Sequence, residues 1–300
     1  MIINLSKRFV DAVKYYALGL WNGLDDDHCF LFASGIAYNV ILCIIPLSLI
    51  LFQTLTFVFR DNIDAQYVVL RYIRQSLPVE GYGSSMEQWV SSQFSHVIDL
   101  ALIPAMIALV ILLWLSSALF SSLRTSLNAI FHYKPKQNMA VLKLLDIGMI
   151  FLFMIVLLFT LVLVPLVGAL REFGDKFFPQ VASEFFNSTL AYIVPICMMV
   201  MIFFILFKTL PAQRISWKVA LLSTLITVGL LEVMRFLFVL YLQTISGIGA
   251  VYGAYAFLVA VALWAYYGGL VFLIGAEVGK LYRDRKDMLA RAIDADVTAA

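Results

Sequence analysis

Two residues in this 300-residue chain combine opposite charge, close spacing and an apolar setting: Glu232 and Arg235. They lie inside the stretch 217–242, which is apolar and long enough to cross a bilayer. Placing one ionisable side chain at the bilayer centre costs at least about 2.5 to 3.5 kcal/mol, and such residues usually face a bundle interior or a wet cavity. Three apart on a helix, the two side chains reach each other. At about 1.5 Å per residue from Trp217, Glu232 lies roughly 22 Å along the helix and Arg235 roughly 27 Å. The core is about 30 Å thick, so Arg235 is near enough to the far surface to snorkel. Two chemistries fit the pair. It can be a structural ion pair holding spans together. Alternatively it lines a polar cavity where Arg235 meets an anionic group such as a lipid phosphate, whose oxygens suit the guanidinium fork.

Other polar residues share the apolar segments: Ser34, Tyr38, Asn39 and Gln53 in the first, Ser116 and Ser117 in the second, Asp146 at the start of the third, Glu277 near the end of the last. On a helix Ser34/Tyr38 and Gly35/Asn39 share a face, a small, polar stripe suited to close helix contact. Tyr38 and Asn39 therefore join Glu232 and Arg235 as candidate substrate-binding residues. Asp146 and Glu277 lie near a membrane surface, where each can meet a basic neighbour such as Lys143 or Lys280. The run Asp25-Asp26-Asp27-His28 has the ligand types for a metal, but acidic residues just before a helix also cap its free N–H groups, and capping is the reading adopted. Cys29, Cys43 and Cys197 lack metal-like spacing and are assigned to packing. No metal or other cofactor is expected.

Enzyme signatures are missing from the sequence: there is no H-E-x-x-H, G-x-S-x-G or G-x-x-x-x-G-K-[ST]. His28, His96 and His132 are scattered, and the basic residues follow topology, so neither a nuclease site nor nucleic-acid binding is expected.

The elements that must position these residues follow from composition. Hydrophobic residues make up 63% and charged residues 13%, against about 25% charged in a soluble domain. The class is an all-α integral membrane protein. Six apolar spans, 30–57, 100–123, 140–170, 188–208, 217–242 and 252–278, each reach the roughly 20 residues a crossing helix needs, and Pro46, Pro165 and Pro195 interrupt three of them. Residues 1–29 form an amphipathic interfacial segment, with Leu5, Phe9, Val13, Tyr16 and Leu20 at helical spacing and no removable signal peptide. One transmembrane domain covers 30–278 and includes an outer loop, 58–99, read as two amphipathic helices; residues 279–300 form a tail. A shorter, Phe-rich loop, 171–187, dips into the interface. Fifteen of the 21 Lys and Arg residues fall on the side of both termini and five on the other, with Arg235 inside the membrane. Both termini are thus expected in the cytoplasm. Gly275 and Gly279 form a small-xxx-small pair, Gly268 and Gly269 also permit close approach, and Gly247, Gly249 and Gly253 make the preceding outer loop pliable.

Read in order, these residues resemble a known family. Trp217 is followed by Glu232, Arg235, Phe238 and Tyr241 at E-x-x-R-x-x-F-x-x-Y spacing, then Tyr252-Gly253, Trp264 and Gly275-Ala276-Glu277. Ala37-Tyr38, Pro46-Leu47 and Leu127-Asn128 precede them. The pattern resembles the YihY/virulence factor BrkB family of bacterial inner-membrane proteins, commonly with Lys at the position of Arg235, over nearly the whole chain. The resemblance implies six transmembrane helices in a bacterial inner membrane and makes Pro46, Asn128, Tyr252, Gly253, Gly275 and Glu277 structural positions. It also implies links to serum resistance or to lipid passage, and carries an old ribonuclease label. Helix geometry limits the motif: Tyr241 falls on the opposite face from Glu232. The leading functional expectation is passage of an amphipathic anionic molecule, with membrane lipids as partners. A non-transporting scaffold for periplasmic envelope proteins is the alternative, and an intramembrane enzyme ranks third.

Overall fold

In the computed structural model the described residues are 2–58, 102–133, 141–153, 155, 156, 159, 180–252 and 254–299. Long apolar runs with few internal breakers give helices throughout. These are α1 (Ile2–Asp26), α2 (Cys29–Val58), α3 (Leu102–Ile130), α4 (141–153), α5 (Gln180–Thr209), α6 (Trp217–Tyr252) and α7 (Ala254–Ala299). No strand occurs among the described residues.

Among the described residues three helical stretches are long and apolar enough to cross a membrane: Leu109–Ile130, Trp217–Tyr241 and Leu258–Arg291. A fourth arises if Lys14–Asp26 and Cys29–Ile44, bent by 63°, count as one broken span, and Ile193–Thr209 is a shorter apolar helix. These match the second, fifth and sixth spans read from sequence, with parts of the first and fourth. The third span beyond 159, the outer loop 58–99 apart from Val58, and Gly253 lie outside the described residues.

Several boundaries differ from expectation. Residues 180–187, read as loop, open α5, and Gly247 and Gly249, read as a pliable loop, lie within α6. The tail from 279 continues α7 to Ala299. In each case the helix continues past the apolar stretch, because hydropathy marks where a helix can be buried and not where its hydrogen bonding stops.

The chain divides into two compact units, each of which draws on α2, α3, α6 and α7. The first comprises Met1–Cys29, Leu123–Gly229 and Phe272–Ala300. Its core includes Leu127, Ile130, Phe131, Phe207 and Leu273, with Phe207 stacked on Phe272 at 4.8 Å between centroids. Here α7 lies tight against α6: a Cβ at Gly275 would overlap Thr227 Oγ1 and come within 2.8 Å of the Ser223 carbonyl, and one at Gly279 would overlap Ser223 Oγ. The small-xxx-small reading of this pair is borne out. α1 is equally close to α7, since Cβ atoms at Gly19 and Gly23 would crowd Leu281 and Glu277.

Polar contacts complete this unit. Arg124 on α3 donates to the Leu142 carbonyl at 3.0 Å and pairs with Asp146 on α4. Asn128 Oδ1 accepts a bond from the Ala212 amide at 2.8 Å, fastening the segment before α6. Ser216 starts that helix, its carbonyl accepting from the Ala220 amide at 3.0 Å.

The second unit comprises Phe30–Ser122 and Leu230–Val271. Its apolar contacts use the opposite side of α2 from the polar stripe: Ala33, Ile36 and Ala37 are buried, and a Cβ on Gly269 would sit 3.3 Å from both the Ala33 carbonyl and Ile36. Gly35 and Gly268 have open space around them. Pro46 is buried inside α2, and Phe238 packs on Trp264 at 5.0 Å.

Candidate functional site

Glu232 and Arg235 form the expected pair on α6, with Arg235 Nη2 3.0 Å from Glu232 Oε2. The pair is open. The Arg235 side chain is 50% exposed and that of Glu232 27%. Around it on the helix, Val233, Phe236, Leu237 and Leu240 are exposed apolar residues, so the charges sit within an apolar outer surface. Among the described residues neither charge pairs with a second helix.

The two candidates on α2 separate. Asn39 turns inward, its Nδ2 donating to Ser122 Oγ on α3 at 2.8 Å and to the Gly35 carbonyl at 2.9 Å. Tyr38 is 64% exposed. Ser34 is exposed too and donates to its own helix at the Phe30 carbonyl. Of the stripe read as a close-contact face, only Asn39 makes the crossing, because the small apolar residues beside it make the tighter fit. No contact among the described residues joins Tyr38 or Asn39 to Glu232 or Arg235. An open groove of about 300 Å³ elsewhere is lined by Phe204, Trp217, Lys218 and Leu221, none of them a candidate from sequence.

A second charged constellation lies in the first unit. Glu277 on α7 is wholly buried, and its Oε1 accepts a bond from Lys280 Nζ, one turn along, at 3.0 Å. The expected basic neighbour is therefore present at Glu277, and Asp146 pairs with Arg124 with the Lys143 charge also acting on it. Lys280 also pairs with Asp27, and Asp27 Oδ1 lies 3.2 Å from His132 Nε2. The capping assignment for Asp27 is thus corrected: its carboxylate serves Lys280 and His132 rather than the free N–H groups of α2. Cys29, at the start of α2, is buried beside the same charges.

Backbone geometry brings the group together. Both non-glycine residues with positive φ among the described residues are histidines: His28 at 52° and His132 at 55°. Each terminates a helix in the left-handed conformation usually given to glycine. At the end of α3 the Tyr133 amide bonds to the Asn128 carbonyl at 2.8 Å and the His132 amide to that of Ala129 at 3.0 Å, the paired closure of a Schellman turn. At the end of α1 the His28 amide bonds to the Asp25 carbonyl at 3.0 Å. These turns aim Asp27 and His132 at one another. The sequence signal was the E-x-x-K spacing of Glu277 and Lys280 at the end of an apolar run. Nothing local marked Asp27, which lies 253 residues from Lys280. Among the described residues no group of three or more His, Cys, Asp or Glu is placed to hold a metal ion.

Comparison with known proteins places this arrangement in a family. Residues 20–296 match the model of the family described as virulence factor BrkB. A UPF0761 membrane protein of Psychromonas ingrahamii is 26% identical, the match covering 91% of this chain and 90% of the relative. One of Coxiella burnetii is 22% identical, covering 91% and 95%. A ribonuclease-like protein of Bacillus subtilis, YfkH, is 25% identical over 85% and 90%. No solved structure matches. The chain, with its apolar helices and a match spanning nearly its whole length, belongs to the virulence factor BrkB family of membrane proteins.

Proposed function

We propose that this protein moves, or assists the passage of, an amphipathic anionic molecule such as a lipid in the bacterial inner membrane, without covalent chemistry on it. The observation that carries this reading is the open Glu232–Arg235 pair. A pair whose task was to tie two spans together would bridge helices, but this one closes within a single helix and leaves half of the Arg235 side chain exposed among apolar residues. Arg235 has five N–H donors. Its contact with Glu232 leaves donors for a phosphate, and Glu232 holds the fork ready while that ligand is away.

The proposed topology has six spans, both termini in the cytoplasm, and the Glu232/Arg235 end of α6 toward the periplasm. The asymmetry of Lys and Arg supports it. Arg235 then stands at the level of the outer-leaflet headgroups, where an amphipathic anion has its charge. Membrane lipids are the proposed partners, with envelope proteins meeting the periplasmic side.

The test is translocation of a labelled anionic phospholipid in proteoliposomes carrying the purified parent, Arg235→Ala or Glu232→Gln. Flux in the parent that falls in both variants is expected. Parental flux in both variants removes the pair from the mechanism. A parent without flux moves the assignment to a scaffold.

A further inference from the structure

The buried charges around Glu277 do not balance. Asp27 and Glu277 bring two carboxylates to one ammonium, that of Lys280, which contacts both. The fourth member, His132, touches Asp27 from outside with a side chain 65% exposed. With a neutral imidazole the set carries one net negative charge in an interior where Glu277 has no exposed surface and Asp27 is 8% exposed. An uncompensated buried charge is strongly unfavourable. Glu277 Oε2 is also left without a hydrogen-bond partner among the described residues. As a bare carboxylate oxygen it is an acceptor with nothing to accept. Lys280 Nζ gathers both carboxyl groups at one ammonium, and two carboxyl groups sharing one site resist being ionised together.

We propose that Asp27, Glu277 and Lys280, with His132 at the surface, form a proton-binding site that takes up one proton from solvent on the His132 side. The transfer conserves atoms and charge. A proton from solvent enters past His132 Nε2, 3.2 Å from Asp27 Oδ1, and the two carboxyl groups held by Lys280 then carry one proton between them. Lys280 stays an ammonium throughout, held between the two acids. The other ionisable neighbours do not supply the missing charge. Cys29 is a buried thiol, and Arg283 is engaged by Asp284 at 2.9 Å and by the Tyr133 hydroxyl at 2.9 Å. Gly23 completes the enclosure on the α1 side, since a Cβ there would overlap Glu277 Oε1. The site is independent of the Glu232–Arg235 reading and stands or falls without it.

The experiment is an infrared difference titration of the full-length protein in lipid nanodiscs, following the carbonyl stretch of a protonated carboxylic acid. The parent is expected to show one such band that titrates while the protein remains folded. Glu277→Gln is expected to lose it. His132→Asn, which keeps a residue tolerant of left-handed backbone, is expected to move its midpoint to higher pH, because the Nε2 contact on the Asp27 carboxylate is lost. If Glu277→Gln does not fold, Asp27→Asn replaces it and is expected to shift or abolish the band. A parent without a titrating acid band, a band intact in Glu277→Gln, or a band indifferent to both Asp27→Asn and His132→Asn overturns the proposal.

Discussion

The contact between α6 and α7 makes a quantitative prediction, because glycines on one helix meet opposite circumstances. A methyl group at Gly275 would collide with Thr227 Oγ1 and lie 2.8 Å from the Ser223 carbonyl oxygen. The first obstacle is a side-chain atom and the second is backbone, so relief requires α6 to move. Overpacking of this kind costs about 1–3 kcal/mol, and replacing a mid-helix glycine by alanine returns roughly 0.5–1 kcal/mol. Gly275→Ala is therefore expected to destabilise by about 1–2 kcal/mol. Gly268→Ala, with nothing within 4 Å, keeps only the favourable term and is expected to be neutral or slightly stabilising.

Second-site changes separate the two obstacles. Gly279→Ala meets Ser223 Oγ first, with the next atoms at 3.3 and 3.4 Å. Combining it with Ser223→Ala is expected to restore most of the lost stability, whereas Thr227→Ala restores only part for Gly275→Ala, since the carbonyl stays. Both hydroxyls are buried without hydrogen-bond partners among the described residues, so deleting them leaves no broken bond behind. The assay is unfolding of the purified variants by added SDS in mixed micelles, read by helical circular dichroism. A Gly275→Ala midpoint equal to that of Gly268→Ala would refute the close approach of α6 and α7.

Three further outcomes are expected from the same assay. Lys280→Met removes the cation that both buried acids share and should lower stability by about 3–5 kcal/mol, with partial recovery on adding Glu277→Gln; an unchanged midpoint would show that the cluster is hydrated. Arg124→Leu should fall by a similar amount through the stranded Asp146, while Arg124→Leu/Asp146→Leu returns toward the parent, since a buried pair is often replaceable by apolar residues; equal loss in single and double variants would contradict this. Arg235→Ala should change stability by no more than about 0.5 kcal/mol, as expected for an open pair within one helix, so a large loss would restore a structural role to the pair.

How much could be read beforehand depended on the range of the interaction. Hydropathy located α3, α6 and α7 because a crossing helix must be apolar along its length, and the i, i+3 spacing of Glu232 and Arg235 announced their contact. The spacing of Gly275 and Gly279 likewise pointed to a close helix, though not to α6 as the partner. Asp27 was misread because an acidic residue before a helix satisfies a local rule, while its actual partners arrive from α7 and from the end of α3. The left-handed turns at His28 and His132 were hidden for a related reason. Glycine usually marks such positions, and here the side chain that needs aiming sits where the glycine would be.

Among the described residues the same local device stands at two places: an acid with a base three residues later on an apolar helix, Glu232 with Arg235 and Glu277 with Lys280. In both the contact is 3.0 Å, so the local geometry cannot distinguish them. Their surroundings do. Around Glu277 the fold adds Asp27 and excludes solvent, so the lysine must satisfy two acids and a proton becomes the natural second positive charge. Around Glu232 the fold adds no further charge among the described residues and leaves the arginine half open, so its spare donors face outward. Two acids sharing one base are suited to binding a proton. A base held by one acid and left exposed is suited to meeting an external anion, and the different chemistry assigned to the two sites follows from that difference alone.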